Sequence, residues 1–337
     1  MTVRLLSCEG MADSVTTVLA DELAQRTATW PRDAGIVAAA QTGERTGACT
    51  IGSITAAGEP PAVDTLYRIA SISKVFTALA LAVAVRRGEV RLDQPANRYL
   101  PDPIRLPHHH DRPILVEHLA THTAALPRDH LGPDSVDGLA ATLARIELSG
   151  PPGRHHLYSN LGVAVLGQLL AHVAGSDYAT LITDRICRPL RLPDTALTIS
   201  PQQTERLAQG RELDGRPAAV PTIHLGAPSG GLYSTATDLL RFLQLHLGRL
   251  QHDELSAAAA FALGPRFTSP DGPELGLCWH RSPLPTGVTS IWHNGGLRGF
   301  HSYAALVPAA DTTLVVLANH DIDLETAATG MLSRLTG

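Results

Sequence analysis

Long hydrophobic runs are missing from this sequence. None reaches the roughly 18 residues that a membrane-spanning helix requires, so no membrane span is expected. A basic excess is missing too: 27 Lys and Arg face 32 Asp and Glu, for a formal net charge of −5. That balance speaks against a nucleic-acid partner. Aromatic residues make up only 4% of the chain, so aliphatic and alanine side chains must build most of the core. The four cysteines, Cys8, Cys49, Cys187 and Cys278, stand far apart with no C-x-x-C pair. Such spacing offers neither a disulfide framework nor a zinc site, and it predicts reduced, mostly buried thiols in a cytoplasmic protein. Internal repeats, low-complexity linkers, a G-x-S-x-G elbow and an H-E-x-x-H helix are all lacking. No cofactor and no metal is expected.

The chain has 337 residues, enough for one large domain or two intimately packed lobes. At the N-terminus, Leu5, Leu6 and Ser7 before Cys8 imitate a lipoprotein cleavage box. The apolar stretch ahead of them is too short for a signal h-region of about 7–15 residues. Met11 offers an alternative start, because "MADSVTTVLADELAQR" reads as a self-contained amphipathic helix. "GIVAAAQTG" and "ACTIGSITAAG" then read as two strands joined by a turn, and a helix through "KVFTALALAVAVRR" stops at Gly88. Helical patterns divided by Pro-rich loops fill residues 89 to 285, among them "ILVEHLATH", "LGVAVLGQLLAHVAG" and "STATDLLRFLQLHLG". "TSIWHNGG", "GFHSYAALVP" and "TTLVVLANH" return to a strand period, and "LETAATGMLSRLT" is a closing helix. One sheet built from both termini, with a helical lobe inserted, accounts for this order.

One charge breaks the local rules. The helix that begins near Ser71 carries Lys74 in its first turn, where exposed N–H groups and the macrodipole favour an anion. Positions i and i+3 share a helix face, so Ser71 and Lys74 stand together. A serine is a poor nucleophile until something takes its proton. A lysine held in a cleft at a positive helix end loses pKa, and its neutral amine can accept that proton. Ser73 competes by proximity, but its i+3 residue is Phe76, which cannot act as a base. Further on, Tyr158 and Asn160 project to one side of an extended loop before a helix that Asn160 could also cap. His293 precedes Gly295 and Gly296 on an expected strand, where glycine permits close approach.

Taken together, these segments resemble the serine β-lactamase and penicillin-recognising family, which carries an S-x-x-K motif. The nearer likeness is to the branch of class C β-lactamases, D-alanyl-D-alanine carboxypeptidases, D-aminopeptidases and β-lactamase-fold esterases. Its Tyr-x-Asn motif matches Tyr158-Ser159-Asn160, and its Lys-Thr-Gly or His-x-Gly motif matches His293-Asn294-Gly295. The flanks "TLYRIASISKVFTALAL", "VEHLATHTAALP", "PPGRHHLYSNLGVAVLG" and "GGLYSTATDLLRF" stand in family order, so the likeness spans about residues 15 to 337. It implies an α/β (α+β) fold: a β-lactamase-like antiparallel sheet flanked by helices, with an inserted, mostly helical lobe. A single domain over residues 1–337 follows, its sheet lobe near 11–70 and 286–337 and its helical lobe near 71–285. The resemblance also implies roles: Ser71 as acylated nucleophile, Lys74 as the group that prepares it, and Tyr158 as proton shuttle to the leaving group. Asn160 would position the acyl portion, and His293 would tune the field beside Tyr158. Backbone N–H groups of Ser71 and Gly296 would hold the oxyanion. Arg298, beyond the Gly295-Gly296 turn, would meet an anionic or carbonyl-bearing substrate end.

Two departures narrow the expectation. His293 stands where class C β-lactamases carry lysine, and Ala125 stands where many relatives carry glycine. The implied activity is a serine acyl-enzyme hydrolase or acyltransferase acting on ester, D-peptide or lactam groups. Its partner is a small-molecule or peptide acyl substrate. The alternatives are a peptide-cyclising thioesterase or transacylase of natural-product biosynthesis, and a non-catalytic binding module on the same scaffold. Glu117, His118 and His122 imitate a zinc helix, but the order of the motif is wrong. His108, His109 and His110 read as a solvated, Pro-flanked loop.

Overall fold

A computed structural model describes residues 4–6, 14–129, 134–212, 214–219, 223–269 and 274–337. Cys8 and Met11 lie outside the described residues. The architecture is a nine-stranded antiparallel sheet with helices on both faces. Across the sheet the strands run Arg4–Leu6, Arg45–Ile51, Ile36–Thr42, Thr312–Ala318, Phe300–Val307, Thr289–Leu297, His280–Pro283, Glu274–Leu275 and Phe267–Thr268. Thr312–Ala318, an interior strand, pairs with Ile36–Thr42 on one side and Phe300–Val307 on the other. N- and C-terminal segments thus interlock there.

The central strands are buried on both faces, and their residues sort by the two-residue period of a strand. Leu314, Val316 and Ala318 pack with Tyr303, Ala305 and Val307 against the outer helices Ser14–Arg26 and Glu325–Thr336. Val315 and Leu317 face the other way, with Ala304 and Leu306, into the larger core shared with the helical lobe. A strand with two apolar faces is near-continuously hydrophobic, as "TTLVVLA" is.

At the centre of that larger core lies the helix Ser73–Arg86. Every residue from Ser73 to Ala84 is buried, as expected of a helix that is apolar all round. It ends just before Gly88, whose φ of +72° is a left-handed conformation that favours glycine. Phe76 stacks on Phe242 of the helix Ala236–Leu247, with ring centroids 4.0 Å apart, and ties the central helix to the lobe beside it.

Several sequence-based helices are shorter than their patterns. "ILVEHLATH" forms only Val116–Ala120, because His122 adopts a left-handed φ of +54°. His122 is therefore not one helical turn beyond His118, and the zinc-helix pattern dissolves. Ala125, where the resemblance implies glycine in many relatives, also has a left-handed φ of +57°. The histidine loop folds into a small hairpin, His108–His109 with Arg112–Pro113. We expect Phe76→Ala to destabilise the protein by about 3–5 kcal/mol, the usual cost of deleting a fully buried ring. A shift of the urea midpoint to lower concentration, with the slope unchanged, measures it.

Candidate active site

The nucleophile candidate sits on a strained turn. Ala70 has a φ of +47° and opens a single 3-10 turn, Ala70–Ile72, that feeds the central helix. Two neighbours clamp this turn. Ser302 Oγ donates to the Ile69 carbonyl at 2.8 Å, and the Ile69 N–H donates to the Leu232 carbonyl at 3.0 Å. Gly295, on the strand Thr289–Leu297, comes so close that a Cβ there would lie 2.6 Å from the Ile69 carbonyl oxygen and 2.9 Å from the Ser71 nitrogen. Only glycine lets the strand edge reach the serine.

Lys74 follows one turn on and is fully buried. Its Nζ donates to Ser71 Oγ at 3.0 Å, to Asn160 Oδ1 at 2.7 Å and to the Ser229 carbonyl at 2.6 Å. Burial disfavours the ammonium and pushes the Lys74 pKa down to about 7, with nearby charges making smaller adjustments. At neutral pH the amine is therefore close to half deprotonated, and a deprotonated amine can take the serine proton. Ser73 is not a rival. It is fully buried, and its Oγ accepts the Leu232 N–H at 3.0 Å.

Tyr158 reaches the same serine from the loop before the helix Asn160–Val173. Burial raises its pKa to about 12, partly offset by its hydrogen bond with Ser71. It therefore stays protonated at neutral pH, as a proton donor must. Lys74 Nζ lies 4.9 Å from the centre of its ring, and the Arg128 guanidinium lies 5.3 Å away. Asn160 is not the helix cap. Ser159 caps the helix, its Oγ accepting the Gly162 N–H at 2.9 Å. The Asn160 amide is thus left to accept from Lys74 and to donate to Asp129 Oδ1 at 2.7 Å.

His293 is fully buried, its ring centre 6.3 Å from that of Tyr158. Its Nδ1 donates to the Asn294 carbonyl at 2.5 Å. Burial first, then His280 and Lys74, hold its pKa well below the ordinary imidazole value, so it is neutral. Gly296 and Ser71 line a cavity of about 370 Å³ that also borders Asn160, Asp129 and Asp134. Arg298 is not among its lining residues. Its side chain is 63% exposed, and its guanidinium pairs with Glu212, a carboxylate of the chain itself. Among the described residues, no group of three potential ligands could hold a metal ion.

Sequence reasoning missed several of the site's neighbours. Ser229 contributes only a carbonyl, which has no sequence signature. Asp129 and Arg128 lie in a loop whose geometry periodicity does not report. His122, His156 and His280 gather around Tyr158 and His293, although they are far apart in the chain.

A family model described as Beta-lactamase matches residues 21–334. The chain is 32% identical over 269 residues to the D-alanyl-D-alanine-carboxypeptidase/endopeptidase AmpH of Escherichia coli (strain K12), covering 74% of this chain and 69% of that protein. To a Beta-lactamase of Pseudomonas fluorescens it is 27% identical over 297 residues, covering 77% and 81% respectively. Among solved structures, a class C beta lactamase from Rhodobacter sphaeroides superposes with a TM-score of 0.85 at 26% identity, covering 95% of this chain and 98% of that one. The D-alanine carboxypeptidase AmpC from Burkholderia cenocepacia gives a TM-score of 0.84 at 26% identity, covering 95% and 99%.

The pH dependence of acylation follows from Lys74. Its folded pKa lies below the ordinary lysine value, so the deprotonated amine grows as pH rises through about 7. Labelling of Ser71 by a fluorophosphonate should accelerate across that range and then level off. Lys74→Arg should lose acylation at every pH tested, because a guanidinium stays charged. A wild-type labelling rate that is flat from pH 5.5 to 9 contradicts this assignment.

Proposed function

The chain belongs to the beta-lactamase family and is a serine hydrolase of the β-lactamase and D-alanyl-D-alanine carboxypeptidase type, and on that premise we propose that it acts on esters and D-peptide-like acyl groups in preference to β-lactams. One observation carries the catalytic part of this reading: a buried lysine of lowered pKa bonded to Ser71 Oγ, with Tyr158 on the same hydroxyl. In this reading Ser71 Oγ forms a bond to the acyl carbon and gives up its proton to the Lys74 amine. Tyr158 then protonates the leaving atom as its bond to the acyl carbon breaks, and Lys74 returns the proton to Tyr158. Asn160 would steady the acyl group. The N–H groups of Ser71 and Gly296 would face the oxyanion, each such donor contributing about 2.7–4 kcal/mol in enzymes of this kind. Water or an amine or alcohol completes the cycle by attacking the acyl-enzyme.

The substrate preference rests on charge. A permanent cation on the strand after Trp292 would suit a β-lactam carboxylate, whereas His293 is buried and neutral. No Lys or Arg is among the described residues lining the cavity, while Asp129 and Asp134 are. Arg298 is already matched to Glu212. A neutral or amino-bearing acyl group suits this wall better than an anionic one. The cytoplasmic setting is also proposed here, supported by the free, buried Cys49, Cys187 and Cys278. No helix among the described residues is long and apolar enough to cross a membrane.

The test is a panel of p-nitrophenyl esters, D-amino-acid amides and nitrocefin, with a D-amino-acid amide as added acceptor. We expect ester and amide turnover, slow nitrocefin hydrolysis, and some acyl transfer to the acceptor detected by mass. Ser71→Ala should abolish all of it, and Ser73→Ala should leave the covalent label on Ser71. Nitrocefin turnover far above ester turnover makes the protein a β-lactamase instead. Free acid as the sole product at every acceptor concentration makes it a plain hydrolase.

A further inference from the structure

Tyr158 lies on a stretch without helix or strand, residues 154–159, yet proton delivery tolerates little misplacement. A loop side chain keeps one position only when its surroundings over-determine it. His122 meets that need in three ways. Its main-chain carbonyl accepts the Leu157 N–H at 2.7 Å. Its ring Nδ1 accepts the Ser159 N–H at 3.1 Å. Its imidazole stacks on the Tyr158 ring, with centroids 4.5 Å apart and planes 29° from parallel. One residue thus bonds both chain neighbours of Tyr158 and covers a face of its ring.

His122 is itself firmly held. It is 1% exposed and adopts a left-handed φ of +54°, a conformation uncommon for a residue with a Cβ. Flanking bonds lock this strained corner: Cys278 N–H donates to the Ala120 carbonyl at 2.7 Å, and Gly153 N–H to the Thr123 carbonyl at 2.7 Å. Strain of this sort persists where packing enforces it.

We propose that His122 is a positioning residue for the reaction, holding the Tyr158 hydroxyl where it can pass its proton to the leaving group, and that it does so only as the neutral imidazole protonated on Nε2. The tautomer follows from geometry. Nδ1 must keep its lone pair to accept from Ser159, so the ring proton sits on Nε2. A second proton would go to Nδ1 and turn an acceptor against the Ser159 N–H. The groups around the ring oppose that second proton: Lys74 from the central helix, His156 from the Tyr158 loop, and His280 and His293 from two sheet strands. Burial opposes it most.

This proposal rests on the acylation reading above, and its test separates the two. The readout is the dependence on leaving group, measured with one acyl group carried on p-nitrophenol, on an alkyl alcohol and on an amine. p-Nitrophenolate departs without a proton, whereas alkoxide and amide need one from Tyr158. His122→Asn keeps a carbonyl acceptor for Ser159 and tolerates the positive φ, but removes the stacked ring. His122→Phe keeps the ring and removes the acceptor. In both, kcat/KM, which reports acylation, should fall about 10- to 100-fold further on the alkyl ester and the amide than on the p-nitrophenyl ester. That loss lies at or below the lower end of the roughly 100- to 10,000-fold that a general acid contributes, as expected of a residue that only positions one. In a Tyr158→Phe background the same His122 substitutions should add less than about threefold, because the residue they position is gone. Equal losses across all three leaving groups would mark His122 as merely structural and overturn the proposal. No leaving-group dependence in Tyr158→Phe itself would instead overturn the role of Tyr158. The wild-type protein supplies a check that needs no variant: nitrogen NMR should find His122 protonated on Nε2, and protonation on Nδ1 at neutral pH would sink the idea.

Discussion

Everything at this site depends on one buried amine. Removing a lysine side chain from water is costly unless its charge is dispersed or its proton lost. Lys74 does both in part. Three oxygens surround it, and its pKa falls to about 7. Those oxygens come from its own turn, from the start of the Asn160 helix, and from the short helix Ala227–Gly230. The amine therefore gathers three separate segments at one point, and the poise of its proton follows from the burial that gathers them.

The fold supplies that burial through a helix with no solvent face. Because Ser73–Ala84 is enclosed on all sides, its N-terminus cannot reach water as ordinary helices do. The strand Thr289–Leu297 closes it from one side through Gly295, whose missing Cβ allows the approach. The strained Ala70 and the clamped Ile69 carbonyl belong to the same arrangement. In the same first turn Phe76 stacks on Phe242, which packs the helix start against Ala236–Leu247.

The wall behind Tyr158 is built from imidazoles that stay neutral. His122, His280 and His293 all have pKa values lowered by burial first, and then by Lys74 and a neighbouring histidine in each case. Packing histidines together reinforces that neutrality, since a charge on any one would disfavour charge on the rest. The wall is polar enough to orient a hydroxyl, yet it adds no fixed cation to the site. A lysine on the strand would have changed that balance of charge.

Much of this was legible in the chain alone, because it depends on local spacing. Ser71 and Lys74 share a face by helix periodicity. "TSIWHNGG", "GFHSYAALVP" and "TTLVVLANH" alternate as strands do, and the structure has strands at Thr289–Leu297, Phe300–Val307 and Thr312–Ala318. The helix through "KVFTALALAVAVRR" that stops at Gly88 matches Ser73–Arg86 in the structure. What spacing could not reveal are contacts between distant segments. Asn160 meets Lys74 across 86 residues and Ser229 meets it across 155, and the second does so through a carbonyl that every residue possesses. Local pattern offered Asn160 as a possible helix cap, and only the folded loop gives the cap to Ser159. Arg298 lay on the right turn, but its partner Glu212 comes from another part of the chain. His122 looked like part of a metal helix until its backbone turned left-handed and laid its ring on Tyr158. Residue identity and periodicity are properties of neighbours along the chain. Burial, which sets the charge of Lys74 and of the histidines, is a property of neighbours in space, and only the tertiary structure determines it.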